Sequence, residues 1–275
     1  MAQTMRRSEG FTLVEAVVVI AIVGTLAAMA AMFMRSPLQA SFDVARRAEL
    51  TDIADTALRR MARDVQSALP NSMRVSGSDF MEFVPIKAAG RYRAEVDSTG
   101  GGNPLDFSSS SDASFDVLGP GVAVASGDAV VIYNLGIPGA DVYEGTSRRA
   151  AAAPFGGSLS TVTFAPGGTQ FPFASPGSRF HVIATPVTYA CDVANGRLWR
   201  YSGYAIQSAQ PASIATLDGL TDVTKALLAS KVSACSFVYS PGVMQRNGLA
   251  TIRLSLTDGG ETVTLMHQVN VTNTP

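Results

Sequence analysis

One carboxylate at the start of a membrane-length apolar run constrains this chain more than anything else in it. In MAQTMRRSEGFTLVEAVVVIAIVGTLAAMAAMFMR, residues 16–34 carry no formal charge, with Arg6 and Arg7 before them and Arg35 after. A helix over residues 11–34 would be roughly 36 Å long at about 1.5 Å per residue. That exceeds the roughly 30 Å hydrocarbon core of a bilayer, so the segment can span one. Glu15 sits near its beginning. A carboxylate at the centre of a membrane helix costs roughly 2.5–3.5 kcal/mol on insertion scales, and less near the interface. Either Glu15 lies shallow and reaches the headgroups, or something positive meets it. Arg6 and Arg7 predict a cytoplasmic N-terminus, a signal weakened by Arg35, Arg46 and Arg47 beyond the run. An ordinary secretory signal cleaved at Ala28-Met29-Ala30 competes, although the length of the run and the position of Glu15 count against it.

The residues Gly10-Phe11-Thr12-Leu13-Val14-Glu15, behind a short leader with Arg6 and Arg7, resemble the class III signal of type IV prepilins and type II secretion pseudopilins. The resemblance implies that a prepilin peptidase cuts between Gly10 and Phe11 and methylates the new amine of Phe11. It makes Glu15 a subunit-docking charge. The amine left at Phe11 is costly in hydrocarbon, and the Glu15 of a neighbouring subunit neutralises it when subunits stack. Such pairing also selects one axial stagger. Gly24 and Pro37 are helix-weakening residues, and the family likeness implies local unwinding between them on assembly.

The same resemblance divides the chain into a leader at 1–10, a long helix at 11–69 with 11–34 transmembrane, and a β-rich head at 70–275. The head would be periplasmic or extracellular. The fold class is therefore α+β, a long N-terminal helix carrying an antiparallel head. The implied location is the inner membrane, single-pass with the N-terminus cytoplasmic, and then a surface pilus. The implied partners are the prepilin peptidase, the major pilin and other minor pilins, the inner-membrane assembly platform, and membrane lipid before assembly.

Past Pro37 the apolar pattern becomes one-sided. Leu50, Ile53, Ala54, Ala57, Leu58, Met61, Val65 and Leu69 recur at three- and four-residue steps, the mark of an amphipathic helix. Asp43/Arg47, Asp55/Arg59 and Arg60/Asp64 are opposite charges four apart, each worth a few tenths of a kcal/mol on a solvated face. Pro70 predicts the helix end near Leu69, and Pro37 a bend.

Beyond residue 71 the signals are strands and turns. Strands are predicted at 80–84, 129–135, 159–164, 180–185, 187–191, 197–205, 232–239, 249–257 and 262–272. Asn195-Gly196 and Gly259-Gly260 read as hairpin turns. Residues 218–230 read as a short helix capped by Asp218 or Thr221. Residues 98–114 and 139–157 read as loops poor in core residues.

With 16% charged residues and a formal net charge of −1, the chain offers no electrostatic footprint for nucleic acid. No cofactor or metal motif accompanies His181 or His267, and no nucleophile elbow or phosphate loop appears, so no catalysis is expected. Tyr189, Trp199, Tyr201 and Tyr204 alternate as sheet packing does, rather than forming a ligand surface. Cys191 and Cys235 are too few for a disulfide-dense scaffold, but a periplasmic head predicts one bridge between them. The segments FHVIATPVTY, LWRYSGY, ACSF and VTLMHQVNV, from 180–189, 198–204, 234–237 and 263–271, resemble a minor prepilin of the mannose-sensitive haemagglutinin pilus set. So do Ala68-Leu69-Pro70-Asn71-Ser72 and Arg74-Val75. A type II secretion pseudopilin is the alternative, and a secreted soluble binding protein a third reading.

Overall fold

The structure is a computed structural model that describes residues 10–165, 170–242 and 247–272, without the side chains of 34–38. The chain forms two compact units, Met1–Glu49 and Leu50–Pro275. Helix α1 covers Leu13–Gln66 and is helical through both Gly24 and Pro37. In the first unit its apolar side chains meet no protein: Leu13, Ile20, Leu26, Met32 and Phe33 are all exposed. In the second unit the helix buries one stripe, made by Leu50, Ala54, Ala57, Leu58, Met61, Ala62 and Val65. These are the positions that three- and four-residue spacing places on one face. The helix stops at Gln66, where the Ser67 hydroxyl and amide both turn back to the Asp64 carbonyl, at 2.6 and 3.1 Å.

Sixteen strands follow among the described residues. They are β1 (Arg74–Ser76), β2 (Phe80–Phe83), β3 (Ile86–Tyr92), β4 (Ser114–Leu118), β5 (Val122–Val124), β6 (Ala129–Val131), β7 (Arg148–Ala152) and β8 (Gly156–Leu159). Then come β9 (Thr161–Phe164), β10 (Arg179–Ile183), β11 (Val187–Asp192), β12 (Arg197–Ser202), β13 (Thr224–Ser230), β14 (Val232–Ser240), β15 (Gly248–Asp258) and β16 (Glu261–Val271). A short helix, α2 (Ile214–Asp218), precedes β13.

Two open antiparallel sheets, ordered β1-β2-β11-β12-β13 and β14-β15-β16, share one core with the second half of α1. Met81, Phe83, Tyr189 and Leu198 enter that core from the first sheet, and Phe237, Ile252, Leu254 and Val269 from the second. The remaining large element is a closed barrel, β10-β3-β4-β9-β7-β6, whose core holds Tyr92, Phe115, Phe164, Phe171 and Phe180. β2 pairs directly with β11, Val187 opposite Phe83, so the whole barrel is inserted in the connection of one hairpin. Phe180 lies opposite Gly90, where an added Cβ would fall 2.8 Å from the ring. That strand position therefore requires glycine for packing.

All nine predicted strands exist, with shifted ends. β6 stops at Val131 rather than 135, and Ser160 separates β8 from β9 where one strand was expected. The Gly259-Gly260 turn joins β15 to β16 with φ of 55° and 88°, left-handed values that glycine alone adopts without cost. Gly196, at φ 64°, caps a 3₁₀ turn (Val193–Asn195) between β11 and β12. The helix expected over 218–230 is overturned. α2 lies earlier, capped by Ser213 rather than Asp218 or Thr221, and residues 224–230 are β13. There the open edge of β12 supplies backbone partners along its length, and that outweighs a modest helix propensity. The two expected loops also hold core: Leu105, Ala140, Val142 and Tyr143 are buried, and β7 and half of β8 fall inside the second.

Candidate functional site

The N-terminal segment is built as a helix start with its polar groups closed on each other. Thr12 precedes the first helical residue. Its hydroxyl oxygen accepts the Glu15 amide at 3.3 Å, and its carbonyl accepts the Ala16 amide at 3.1 Å. The Thr12 hydroxyl in turn approaches the Glu15 carboxylate, at 3.5 Å. Thr-Leu-Val-Glu thus has the spacing of a capping box, with the Thr12 oxygen satisfying an amide that the helix leaves unpaired while the Glu15 carboxylate meets the Thr12 hydroxyl rather than its backbone amide. Thr12 was missed in the sequence reading, although the T-x-x-E spacing carries that signal. A carboxylate in the first turn also sits at the positive end of the helix dipole. Gly10 and Phe11, immediately before this turn, are exposed, Phe11 to 74%. The peptide bond at 10–11 is thus accessible, and the Glu15 carboxylate lies about one turn downstream.

Behind this turn, Leu13–Phe33 is one apolar helix of 21 residues, none of it buried inside the protein. A stretch of exposed apolar surface this long is stable only in lipid or against other apolar helices. Residues 5–31 match the prokaryotic N-terminal methylation motif. The chain carries a type IV prepilin-like signal. No curated protein and no solved structure matches the chain. Glu15 is the only acidic side chain between Phe11 and Asp43.

The other residues singled out by sequence lie elsewhere in the fold. A Cβ at Gly24 would meet nothing within 4 Å, so packing inside the chain does not require glycine there. The Pro37 side chain lies outside the described residues. Cys191 on β11 and Cys235 on β14 form a disulfide, with Cα atoms 6.4 Å apart, which joins the two open sheets. His181 is largely buried in the barrel wall, where burial and then the charge of Arg179 bring its imidazole down to about 4. His267 is exposed on β16, so the two histidines do not converge. Tyr189, Tyr201 and Tyr204 are fully buried and Trp199 half-buried, as sheet packing requires.

Two polar ties in the head were not legible from spacing. Asp64 on α1 accepts from Arg200 Nε at 2.8 Å and from the Tyr189 hydroxyl at 2.7 Å, besides its ion pair with Arg60. Burial pushes its carboxyl up, but the hydrogen bonds from Arg200 and Tyr189 prevail and hold it below the usual range. Glu82 on β2 is wholly buried between Arg74 Nε at 2.7 Å and the Tyr204 hydroxyl at 3.0 Å. Burial raises its carboxyl above the usual range, and the Arg74 hydrogen bond only partly offsets this. The guanidinium of Arg74 also lies 3.5 Å over the ring of Tyr143, whose hydroxyl donates to the Ser72 carbonyl at 2.7 Å. These groups fasten the helix to the first sheet, and that sheet to the inserted segment that carries Tyr143.

Proposed function

We propose that this protein is a minor pilin that takes part in initiating, priming or capping a type IV pilus of the mannose-sensitive haemagglutinin type, where it corresponds to the O component. The observation that carries the reading is the methylation motif placed on an exposed apolar helix whose first turn holds Glu15. Cleavage between Gly10 and Phe11 produces a cationic amine at Phe11. The Glu15 of an adjacent subunit neutralises that amine in the filament core, where an unpaired charge of either sign is costly. The leader stays cytoplasmic and the head periplasmic until the subunit leaves the membrane. The C-terminal segments from 180 to 271 support the choice of this pilus over a type II secretion pseudopilin, which would share the same signal. The role is structural, and the head contributes surfaces rather than a catalytic centre. Between Gly24 and Pro37 the helix unwinds on assembly, since glycine and proline are its weakest helix formers. Uniform helicity there in an assembled filament would remove it.

The deciding experiment is intact mass with N-terminal sequencing of the protein from native membranes. The expected chain begins at N-methylated Phe11. A chain beginning after Ala30 would lack Glu15 and the membrane helix, and with them the pilin reading. Glu15→Ala should be inserted and cleaved normally but enter filaments poorly, and normal incorporation would count against charge pairing. Loss of the gene should abolish the surface pilus while protein secretion continues, and the reverse outcome would assign the chain to a secretion system.

A further inference from the structure

Open sheet edges are templates for pairing, and proteins normally blunt them with short strands, bulges, prolines or lysines. Among the described residues, three of the four edges of the two larger open sheets follow that rule. β1 has three residues and carries Arg74. β13 carries Lys225, and its register against β12 shifts between Leu198 and Trp199. β14 shifts register between Val232 and Ala234, and its Phe237 amide is already paired with the Ser78 carbonyl. β16 does none of this. It is eleven residues long, ETVTLMHQVNV, with no lysine, arginine or proline, and among the described residues it pairs with β15 alone in an unbroken register.

A second observation lies beside this edge. Arg59, Ala62, Arg63 and Gln66 of α1, with His267 of β16, line a groove of about 370 Å³ between the helix and the strand. Arg59 is ion-paired with Asp55, at 2.7 Å. Arg63 and His267 have no acidic partner among the described residues. The groove is therefore cationic on the side where an added strand would present its inward side chains.

We infer that β16 is a docking edge for an extended segment of a partner chain, added as a fourth strand, with a carboxylate that enters the α1–β16 groove to meet Arg63 and His267. The edge supplies backbone hydrogen bonds, as strand addition requires, and the groove supplies register and charge selection. A guanidinium is suited to bind a carboxylate in such a groove. A second copy fits poorly, because antiparallel pairing of two β16 edges keeps both helices on one side of the sheet and sets Arg59 and Arg63 of each copy facing those of the other. This inference concerns the head alone and does not depend on the N-terminal motif.

The test uses the full chain in detergent micelles and a peptide of alternating valine and threonine with one central glutamate, N-methylated along one edge so that it cannot stack on itself. Amide hydrogen exchange should show new protection within Glu261–Val271 on peptide addition. Arg63→Glu, on the exposed helix face, should weaken binding about tenfold or more, as reversal of an interface charge does. Arg63→Gln should weaken it less, and Arg253→Glu, on the opposite face of the same sheet, should leave it unchanged. A peptide with lysine in place of glutamate should bind as poorly as the Arg63→Glu pairing. No protection of β16, or equal binding of the lysine peptide, would overturn the inference. Protection that rises with protein concentration in the absence of peptide would identify a second copy as the occupant and would equally overturn it.

Discussion

Thr12 and Glu15 show how one residue can serve two environments. Within the chain, the Glu15 amide is capped by the Thr12 hydroxyl oxygen, and its carboxylate accepts from the same hydroxyl. In the proposed filament the same carboxylate meets the amine of a neighbour, so the cap holds it at the helix start before assembly. Thr12→Val removes the acceptor for the Glu15 amide and should cost the first turn about 1 kcal/mol. Faster hydrogen exchange of the Leu13–Ala16 amides in micelles, with processing at Gly10 unchanged, would register it. Asp64 illustrates a different dependence. Its folded carboxyl lies below the usual range, so the unfolded chain takes up the proton first as pH falls. The stabilisation is therefore complete above the unfolded carboxylate range, near pH 4, and disappears as pH falls through the lower folded value. Asp64→Asn should destabilise the head by about 2 kcal/mol at neutral pH, the scale of a charge-assisted hydrogen bond. Denaturant melts of both proteins should converge as the pH is taken below 4. A gap that persisted would show that the carboxylate charge is not what Arg200 and Tyr189 recognise. Sequence spacing showed only the Arg60 partner of Asp64, because Arg200 and Tyr189 lie 136 and 125 residues away in the chain.

At the scale of elements, α1 was the most legible feature. Its buried stripe from Leu50 to Val65 follows from helical periodicity, and its exposed apolar half from composition. The long strands β11, β12 and β14 to β16 were legible because they alternate or end in Asn-Gly and Gly-Gly turns. Strands β1, β3, β4, β5, β7, β8 and β13 were not, because most are short or rich in alanine, glycine and serine and owe their conformation to a neighbour. The disulfide acts at this scale too, since Cys191 and Cys235 join the two open sheets covalently where β14 lies beside β11 and beside β1. With 44 residues separating the two cysteines, the chain-entropy account gives an upper stabilisation of about 4 kcal/mol. Cys191→Ser should lower the denaturation midpoint of the head accordingly while leaving its secondary structure intact. An unchanged midpoint would mean that the shared core already holds both sheets in place.

At the scale of the whole molecule, the head is a strand-rich antiparallel body with a barrel inserted in the β2–β11 hairpin. The barrel has its own aromatic core, and Leu69, Val84 and Ile183 join it to the base with Val131, Val142 and Tyr143. Replacing residues 85–185 by Asn-Gly should therefore leave the sheets, α1 and the Cys191–Cys235 bridge able to form. The melting temperature should fall, because Leu69 and Val84 lose their cover. Circular dichroism and a non-reducing gel would check both points, and failure to form the bridge would show that the barrel is required for the base to fold. The sequence by itself determined the N-terminal half of the story: a processing signal, an acidic residue at a helix start, a membrane-length run and an amphipathic stripe. All of these are encoded by residues within a few turns of each other, where periodicity and local capping decide the outcome. Only the tertiary structure decided that 224–230 is a strand, that Asp64 is held by Arg200 and Tyr189 and Glu82 by Tyr204, all more than a hundred residues away, and that a barrel closes inside one hairpin. It also left β16 as an unblunted edge beside a cationic groove. Each of these depends on which distant backbone and side-chain groups come within reach once the chain has collapsed, and local spacing does not carry that information.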